Sequence, residues 1–364
     1  MGPLKNIRIV EFAGIGPAPF CGMLLADLGA DVVRIDRPDS QDLLGQHYDV
    51  LGRGKRSVAL DLKQADQHAR ALQLVENAHG LIEGFRPGVM EKLALGPTEC
   101  LKKNPKLVYG RMTGWGQAGP LSQSAGHDIN YISLSGALHA IGTNKSGPVV
   151  PLNLVGDFGG GALYLAVGML AALLEAKDSG RGQVIDAAIV DGTSHLMSMM
   201  YSLLGNGLWN DSRGENLLDG SAPFYSVYQC KDEKWISIGP IEERFYDLFL
   251  QLIDDDIPSF AHSRSDPTAA IDLRKFLEQK FADRTQLEWI NILENTDVCF
   301  APIMNMTDAP QHPHNIARNT FITRDGITQP APAPRFSRTE AKITGSPPEL
   351  GEHNDKVFSD WGIS

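Results

Sequence analysis

The chain has 364 residues and a formal net charge of −11, with 33 Lys and Arg against 44 Asp and Glu. Its length allows one large or two medium domains with hydrophobic cores. The acidic balance excludes proteins that bind nucleic acid or an anionic membrane surface, because both classes need a cationic face. Four widely spaced cysteines without a CxxC pair indicate neither a disulfide framework nor a zinc site, so we expect a cytoplasmic protein without a metal.

The first elements follow a strand–helix–strand order that is typical of an α/β domain. Residues 7–12 form a short β-rich run, residues 17–28 have helical spacing, and residues 31–36 form a second β-rich run. Further strand-like runs lie at 81–83, 106–112 and 184–188, with helical segments between them. This alternation predicts a parallel sheet covered by helices, in a large Rossmann-like domain.

The pattern changes at about residue 225. Strand-like runs at 225–229 and 235–238 flank a polar turn, and helical runs follow at 242–253, 271–282 and 286–294. We therefore predict a second, smaller α+β domain over 225–325, joined to a large domain over 1–200 by a linker at 201–224. The proline-rich residues 326–364 are predicted to be an extended return segment that completes the large domain.

Two segments bear on secretion and membranes. The opening run from Lys5 to Ala13 lacks the basic start and apolar stretch of a signal peptide, so no secretion signal is expected. The longest uncharged run, Phe158 to Leu174, lies between Asp157 and Glu175 and opens near three glycines. It is short for a bilayer span, and we interpret it as a buried core helix of a protein that does not enter a membrane.

The opening turn also allows a nucleotide-binding hypothesis. Gly14 and Gly16 follow the first strand, and Asp36 lies about twenty residues further on, as in a dinucleotide fingerprint. Pro17 and Pro19 depart from that fingerprint, because the third glycine position is a proline and a proline opens the helix. A tight strand-to-helix turn explains the same residues.

Two short blocks supply the groups best suited to chemistry. His127 lies in Gly-His-Asp-Ile-Asn-Tyr, and Asp157 lies in Val-Gly-Asp-Phe followed by three glycines. An imidazole and a carboxylate on opposite faces of one carbon can remove a proton from one side and return one to the other. The alternatives are a structural hydrogen bond for His127, a helix N-cap for Asp157, and helix packing for the glycines.

Basic side chains are concentrated in the first quarter of the chain, several of them at predicted strand ends. Such a set can hold phosphates, although a solvated charged face explains it equally. The residues are Arg34, Arg37, Lys55, Arg56, Lys63 and Arg86.

The chain resembles the type III coenzyme A transferases and racemases, most closely the α-methylacyl-CoA racemase branch of that family. The resemblance runs from residue 4 to about residue 337. It depends on these segments: Glu11 to Pro17, Asp27 to Pro38, Glu83 to Val89, Arg111 to Gln117, Gly126 to Tyr131, Val155 to Gly161 and Ala333 to Arg338. The resemblance implies a Rossmann-like large domain, a small domain, and an interlocked homodimer.

Carried over by position, the resemblance assigns site residues. His127 and Asp157 are the expected acid/base pair, and Glu242 is expected to orient His127, with Glu243 as an alternative. Coenzyme contacts are expected at Arg37, Leu60, Asp61, Leu62, Lys63, Gly84, Phe85, Arg86, Lys92, Gly126, Asp128, Ile129, Asn130 and Tyr131. Lys92 stands where the family has arginine, so a bidentate phosphate contact is not expected there. Asp128 is either a partner of the catalytic groups or a turn residue.

These assignments imply a racemase that interconverts (R)- and (S)-2-methylacyl-CoA thioesters through an enolate, with no cofactor beyond the substrate's own coenzyme A. Branched-chain fatty acid metabolism is the implied setting. Because a thioester α-proton is a weak acid, backbone amides must stabilise the enolate oxygen, and we expect the glycine-rich turns at 156 and 159–161 to present them. The alternative is CoA transfer, with Asp157 attacking the thioester as a nucleophile.

Overall fold

The computed structural model describes residues 2–40, 45–264 and 266–363. The strands are β1 Arg8–Phe12, β2 Asp31–Asp36, β3 Arg56–Ala59, β4 Gly80–Glu83, β5 Val108–Thr113, β6 Gly142–Thr143, β7 Gly147–Pro148, β8 Val184–Ala188, β9 Ser226–Gln229, β10 Trp235–Ile238, β11 Phe300–Ile303, β12 Phe321–Arg324 and β13 Ile327–Pro330. The α-helices are α1 Pro17–Asp27, α2 Ala65–Glu76, α3 Val89–Lys92, α4 Pro97–Lys103, α5 Asp128–Leu134, α6 Ala137–Ala140, α7 Leu163–Ser179, α8 Ile189–Leu196, α9 Ser198–Gly205, α10 Glu243–Ile253, α11 Pro267–Ala282, α12 Gln286–Leu293, α13 Pro313–Ala317 and α14 Lys356–Trp361. A π-helix spans Leu154–Ala162, and short 3₁₀ turns lie at Val50–Gly52, Ser259–Ser263 and Ala309–Gln311.

The chain divides into two compact units. Unit 1 comprises Met1–Ala137, Pro151–Ser198 and Phe321–Ser364, and unit 2 comprises Leu138–Val150 and Met199–Thr320. Unit 1 therefore contains the strand–helix alternation of the first half of the chain. Unit 2 contains the antiparallel strands β9, β10 and β11 and the helices α10 to α13.

Unit 1 is built on a six-stranded parallel sheet with the order β3-β2-β1-β4-β5-β8. The predicted parallel sheet is confirmed. This order is that of a doubly wound sheet, in which the direction of strand addition across the sheet reverses between β1 and β4. Ligands of such sheets bind beyond the carboxyl ends of the strands at this reversal point. The order therefore predicts where a site should lie.

Helices cover both faces of this sheet because the strand side chains alternate. On one face, Val10 and Phe12 pack in a cluster with Leu74 of α2. On the other face, Ile9 packs in a cluster with Leu165 of α7. Both faces are apolar, so the strands read as nearly continuous hydrophobic runs.

The sequence predicts an extended segment at the end of the chain. This prediction is wrong in part, because the last residues form the helix α14. Val357, Phe358 and Trp361 of α14 are buried in the core of unit 1, and the Trp361 indole Nε1 donates to an Asp31 carboxylate oxygen at 2.8 Å. The three apolar residues share one helical face at spacings of one and four. The sequence did not predict this short helix, because the proline-rich tract before it favours an extended segment.

The π-helix runs directly into α7. Together they form one helix, Leu154–Ser179, that is long and apolar enough by length and composition to cross a membrane, with 39% of its most apolar window buried in the protein. Helices in protein cores also pass this test. The N-cap expectation for Asp157 is wrong, because Asn153 is the N-cap and Asp157 lies inside the π-helix.

The glycines of the π-helix serve packing. A Cβ on Gly160 would overlap the Thr193 hydroxyl and lie 2.7 Å from the Thr193 backbone nitrogen. A Cβ on Gly161 would lie 3.0 Å from the Ile189 side chain. The packing interpretation is therefore confirmed for these two glycines, which let α8 approach the π-helix backbone.

Unit 2 has a three-stranded antiparallel sheet with the order β11-β10-β9. Helices α10 to α12 pack on it around Phe249, Phe281 and Trp289, all of which are buried. The predicted strands and the three predicted helices of this region are present. Unit 2 is thus an α+β unit with its own core.

Candidate active site

A cavity of about 690 Å³ opens in unit 1 beyond the carboxyl ends of β1, β4 and β5. This is where the reversal of strand order predicts a ligand site. Eight of the residues assigned from the sequence line it: Gly84, Phe85, Arg86, Gly126, His127, Asn130, Tyr131 and Asp157. The cavity therefore brings together both predicted proton-transfer groups and one predicted phosphate contact.

His127 is held at the start of α5 by its backbone. Its N–H donates to the Asn130 side-chain oxygen at 3.0 Å, and the exposed His127 residue lines the cavity. The Tyr131 hydroxyl donates to the Gly126 carbonyl, and a Cβ on Gly114 would overlap the Tyr131 ring. Gly114 is therefore needed for the turn that carries His127.

Asp157 lies on the wall of the same cavity, partly buried. Its carboxylate accepts a long hydrogen bond from the Asn153 side chain at 3.4 Å, and a Cβ on Gly16 would lie 3.2 Å from the carboxylate. Burial, followed by the negative charge of Asp128, raises the pKa of Asp157 above its ordinary value, while Asn153 and His127 oppose this rise. A carboxyl with a raised pKa is a stronger base when ionised and exchanges protons nearer neutral pH.

Asp128 is buried behind Asp157 and touches it. Its Oδ1 accepts the backbone N–H of Asp157 at 2.6 Å, and a Cβ on Gly156 would overlap the Asp128 carboxylate. Burial raises the pKa of Asp128, and hydrogen bonds from the Asp157 and Gly156 backbones oppose the rise. Of the two sequence interpretations, the partner role has structural support, since the carboxylate bonds the backbone of a predicted catalytic residue.

Arg86 reaches the cavity from a loop that buried ion pairs hold in place. The Glu83 carboxylate accepts the backbone N–H of Phe85 at 2.8 Å and pairs with Arg111 at 2.9 Å. Arg111 also pairs with Glu91 at 2.8 Å. Burial raises the pKa of Glu83 despite the nearby Arg111. The loop that carries Arg86 is thus fixed at both ends by charged side chains.

Several predicted coenzyme contacts lie away from this cavity. Arg37 is exposed and pairs with Asp39 at 2.7 Å, just after β2, and the neighbouring segment Leu60 to Lys63 follows β3. Leu60 is buried. Together these positions lie beyond β2 and β3, where the charges of Asp39 and Asp61 act on Arg37. The residues that do not line the cavity are Arg37, Leu60, Asp61, Leu62, Lys63, Lys92, Asp128 and Ile129.

Three of the basic residues singled out in the sequence belong to the framework. Lys55 has a fully buried side chain and pairs with Glu11 at 2.7 Å. Arg34 pairs with Asp36, and Arg56 pairs with Asp31. The phosphate interpretation is wrong for Lys55, because a side chain with no exposed surface cannot meet a ligand. For Arg34 and Arg56, the ion pairs explain the charge without a ligand.

Glu242 lies in unit 2, where it is the N-cap of α10, and Glu243 is the first residue of that helix. The pKa of Cys299 is raised first by burial and second by the charge of Glu242. The predicted role of Glu242 in orienting His127 stays a prediction. Within residues 2–40, 45–264 and 266–363, no group of three or more His, Cys, Asp and Glu side chains is placed to hold a metal ion.

The geometry weighs against the dinucleotide hypothesis. Gly16 has φ +68°, a conformation that favours glycine, but the group that faces it is the Asp157 carboxylate. A pyrophosphate at this turn would meet a negative charge. Gly16 is therefore explained by the turn and by the close approach of Asp157.

Among the cavity-wall residues that the sequence did not assign to the site, three contact the predicted ones. Asn153 bonds Asp157, Gly16 makes room for it, and the Trp115 ring packs edge-on against Tyr131 at 4.8 Å. Trp115 lies in a Thr-Gly-Trp-Gly run directly after β5. An aromatic between glycines at a strand end was the available signal.

Comparison with known proteins points to one family. The model of CoA-transferase family III matches residues 4–354. The chain is similar to the α-methylacyl-CoA racemase of Mus musculus, with 45% identity over 99% of this chain and 94% of the relative. It is also similar to the α-methylacyl-CoA racemase of Homo sapiens, with 42% identity and the same coverage. A crystal structure of a CAIB/BAIF family protein from Brucella suis has the same fold, with a TM-score of 0.83, 24% identity and 99% coverage of both chains.

Proposed function

Because the chain belongs to CoA-transferase family III, we propose that it is a racemase that interconverts the (R) and (S) forms of 2-methylacyl-CoA thioesters. The observation that supports this most is one cavity lined by both His127 and Asp157. Relatives at 42% and 45% identity over nearly the whole chain are named as racemases of this substrate class. Lipid metabolism, in particular that of branched-chain acids, is the corresponding setting.

The reaction is a 1,1-proton transfer. One group, His127 or Asp157, takes the proton from the α-carbon, and the electron pair of that C–H bond moves to the thioester carbonyl oxygen to form an enolate. The other group then donates a proton to the opposite face of the α-carbon. Each turnover adds a proton to the group that acts as the base and removes one from the group that acts as the acid. The pair therefore ends in the protonation state that the reverse direction needs.

The enolate oxygen needs donors fixed in advance. We propose that backbone N–H groups of the loops that line the cavity supply these donors, in place of the glycines at 160 and 161, which pack against α8.

The coenzyme would lie along the carboxyl edge of the sheet. Arg86 at the cavity is the proposed pyrophosphate contact, because a guanidinium binds phosphate through several N–H groups. Arg37 and Lys63 beyond β2 and β3 are proposed for the adenosine end. Coenzyme A is part of the substrate, and the proposed reaction needs no further cofactor.

We also propose a homodimer, interlocked as in the resemblance. The supporting observation in unit 1 is an apolar face of α7 that is open to solvent: Leu163 is 46% exposed, Val167 65% and Leu174 67%. Their spacings of four and seven place them on one helical face. A second copy of the chain would cover this face, and sedimentation equilibrium would give twice the chain mass. A monomer at micromolar concentration would contradict the proposal.

The second candidate is CoA transfer between acids, favoured by the name of the family. Asp157 would attack the thioester carbonyl, form a mixed anhydride and release coenzyme A thiolate, which would then attack the Asp157 carbonyl, give an aspartyl-CoA thioester and release the first acid. The carboxylate of the second acid would attack this thioester to form a new mixed anhydride, and the returning thiolate would take the second acyl group and free Asp157. His127 has no required role in that reaction. The presence of His127 in the lining of the same cavity therefore favours the racemase.

The deciding experiment is proton NMR of one enantiomer of a 2-methylacyl-CoA in heavy water, without a second acid. Racemisation predicts loss of the α-proton signal and appearance of the opposite epimer. Failure to exchange, together with thioester transfer after a free acid is added, would establish the transferase.

A further inference from the structure

The strongest unexplained feature near the cavity is the carboxyl group of Asp128. Its side chain is 8% exposed, and its Oδ2 is buried with no hydrogen-bond partner in the described part of the chain. Its Oδ1 accepts the Asp157 N–H at 2.6 Å. Polar atoms buried without a partner are rare in proteins and call for an explanation.

The local sequence is adapted to this contact. A Cβ on Gly156 would overlap the Asp128 carboxylate and the Ile132 side chain, so Gly156 allows the carboxyl group to reach the π-helix backbone. A neutral amide or hydroxyl would accept the same hydrogen bond. A carboxylate at this place adds a negative charge beside Asp157. Among residues 2–40, 45–264 and 266–363, neither Asp128 nor Asp157 forms an ion pair with a Lys or Arg side chain.

We propose that Asp128 is a positioning residue that fixes Asp157 through its backbone N–H and places a negative charge beside the Asp157 carboxylate. The inference rests on the proposed racemase function, in which Asp157 must both accept and release a proton. A racemase needs two groups of comparable proton affinity, because each serves as acid in one direction and as base in the other.

The electrostatic surroundings support this assignment. The groups that act on Asp157 are Asp128 and His127 from the start of α5, with the neutral Asn153 on the π-helix. The hydroxyl of Tyr131 in α5 also feels the charge of Asp157. Its pKa is raised by burial and then by Asp157, and the charge of Arg86 opposes the rise. Asp128 is the charged group that raises the pKa of Asp157, after burial.

The test is the pH dependence of kcat/KM for racemisation in both directions, with wild type and Asp128→Asn. The asparagine keeps an oxygen acceptor for the Asp157 N–H and removes the charge. We expect the acid limb of both profiles to move to lower pH, since Asp157 loses its proton more easily. The plateau should fall by about tenfold, by the same factor in both directions, because the equilibrium between the epimers is fixed.

The matched control is Asp186→Asn. The Asp186 carboxylate also accepts a backbone N–H, that of Gln117 at 2.9 Å, but it is not among the groups that act on Asp157. Its profile should keep the wild-type acid limb. An Asp128→Asn enzyme that loses activity while its acid limb stays in place would overturn the proposal and leave Asp128 a purely structural residue.

A second readout does not depend on activity. Carbodiimide modifies protonated carboxyl groups, so mass spectrometry of the Asp157 peptide against pH follows its protonation. The pH of half-modification should be lower in Asp128→Asn than in wild type, and an unchanged value would overturn the proposal even if the protein proved to be no racemase. Wild type that exchanges no α-proton would refute the racemase alone. If Asp128→Asn does not fold, Asp128→Ser removes the same charge.

Discussion

Two sets of buried carboxylates in unit 1 differ in their partners. Glu11 pairs with Lys55, and Glu83 pairs with Arg111, and the side chains of both pairs are buried. Asp128 and Asp157, at the cavity, have no Lys or Arg ion pair within the described ranges. Both sets lose solvation, but only the framework set is compensated by a cation.

The difference separates structure from chemistry. A carboxylate paired with a buried cation is held in one geometry by that cation, so it holds strands and loops together, although burial raises its pKa as well. A carboxylate without such a cation changes protonation more readily, and burial raises its pKa. Perturbed carboxyl groups in a cavity are accordingly candidates for catalysis. If this division is correct, substitutions in the framework set should lower the stability of the fold, and substitutions in the cavity set should lower the activity.

The largest expected effect is on activity, from Asp157→Asn. Removing one member of the acid/base pair should lower racemisation by about 10⁴-fold, or roughly 5.5 kcal/mol in activation free energy. Stability should change little, because Asp157 makes only a long contact to Asn153. Polarimetry or chiral chromatography of the CoA ester gives the rate, and denaturant unfolding gives the stability. Retained turnover would remove Asp157 from the chemistry.

The next effect is on stability, from Lys55→Met in the framework set. Glu11 would be left buried without its cation, and we expect a loss of about 3–5 kcal/mol in the free energy of unfolding. The double variant Lys55→Met, Glu11→Gln is the matched control and should recover part of this loss, since the uncompensated charge is gone. Equal stability of the single and double variants would show that the pair is not the source of the effect.

A smaller loss is expected where the π-helix meets α8. Gly160→Ala would place a methyl group against Thr193, and such overpacking typically costs about 1–3 kcal/mol. Because the π-helix also carries Asp157, activity should fall as well. Gly205→Ala, where a Cβ meets nothing within 4 Å, is the control and should be neutral in thermal unfolding. A neutral Gly160→Ala would contradict the packing account.

The smallest effect concerns substrate binding at Arg86. Loss of a charged phosphate contact in Arg86→Gln should raise KM by about tenfold and leave kcat nearly unchanged. Lys92→Gln, an exposed residue outside the cavity, makes the same loss of charge nearby and should have less effect. If Arg86→Gln and Lys92→Gln raise KM by the same factor, Arg86 contributes only to the general electrostatic potential of the surface.

Much of the fold could be predicted because it follows from periodic patterns. All strands of the parallel sheet except β3, and the helices α10 to α12 of unit 2, repeat apolar residues at spacings that fix their type. The short helix α14 was missed because the prolines before it dominate the local pattern. The π-helix was missed because its glycines and its flanking apolar run look like the start of an ordinary α-helix.

The site was predictable in part for the same reason. His127 and Asp157 stand in motifs whose residue types indicate their chemistry, so the sequence identified both as candidates. The contact between Asp128 and the Asp157 backbone could not be predicted, because it joins residues 29 positions apart through three-dimensional packing. Lys55 shows the converse: its charge suggested a ligand, and only burial revealed its pairing with Glu11.

The most direct test of the central claim is α-proton exchange in heavy water by His127→Asn and Asp157→Asn, each given the two pure enantiomers of a 2-methylacyl-CoA. With one base on each face of the α-carbon, each variant should exchange the proton of only one enantiomer, the two variants should differ in which one, and neither should invert it. Both variants exchanging the same enantiomer, or either one still forming the opposite epimer at the wild-type rate, would contradict the two-base site.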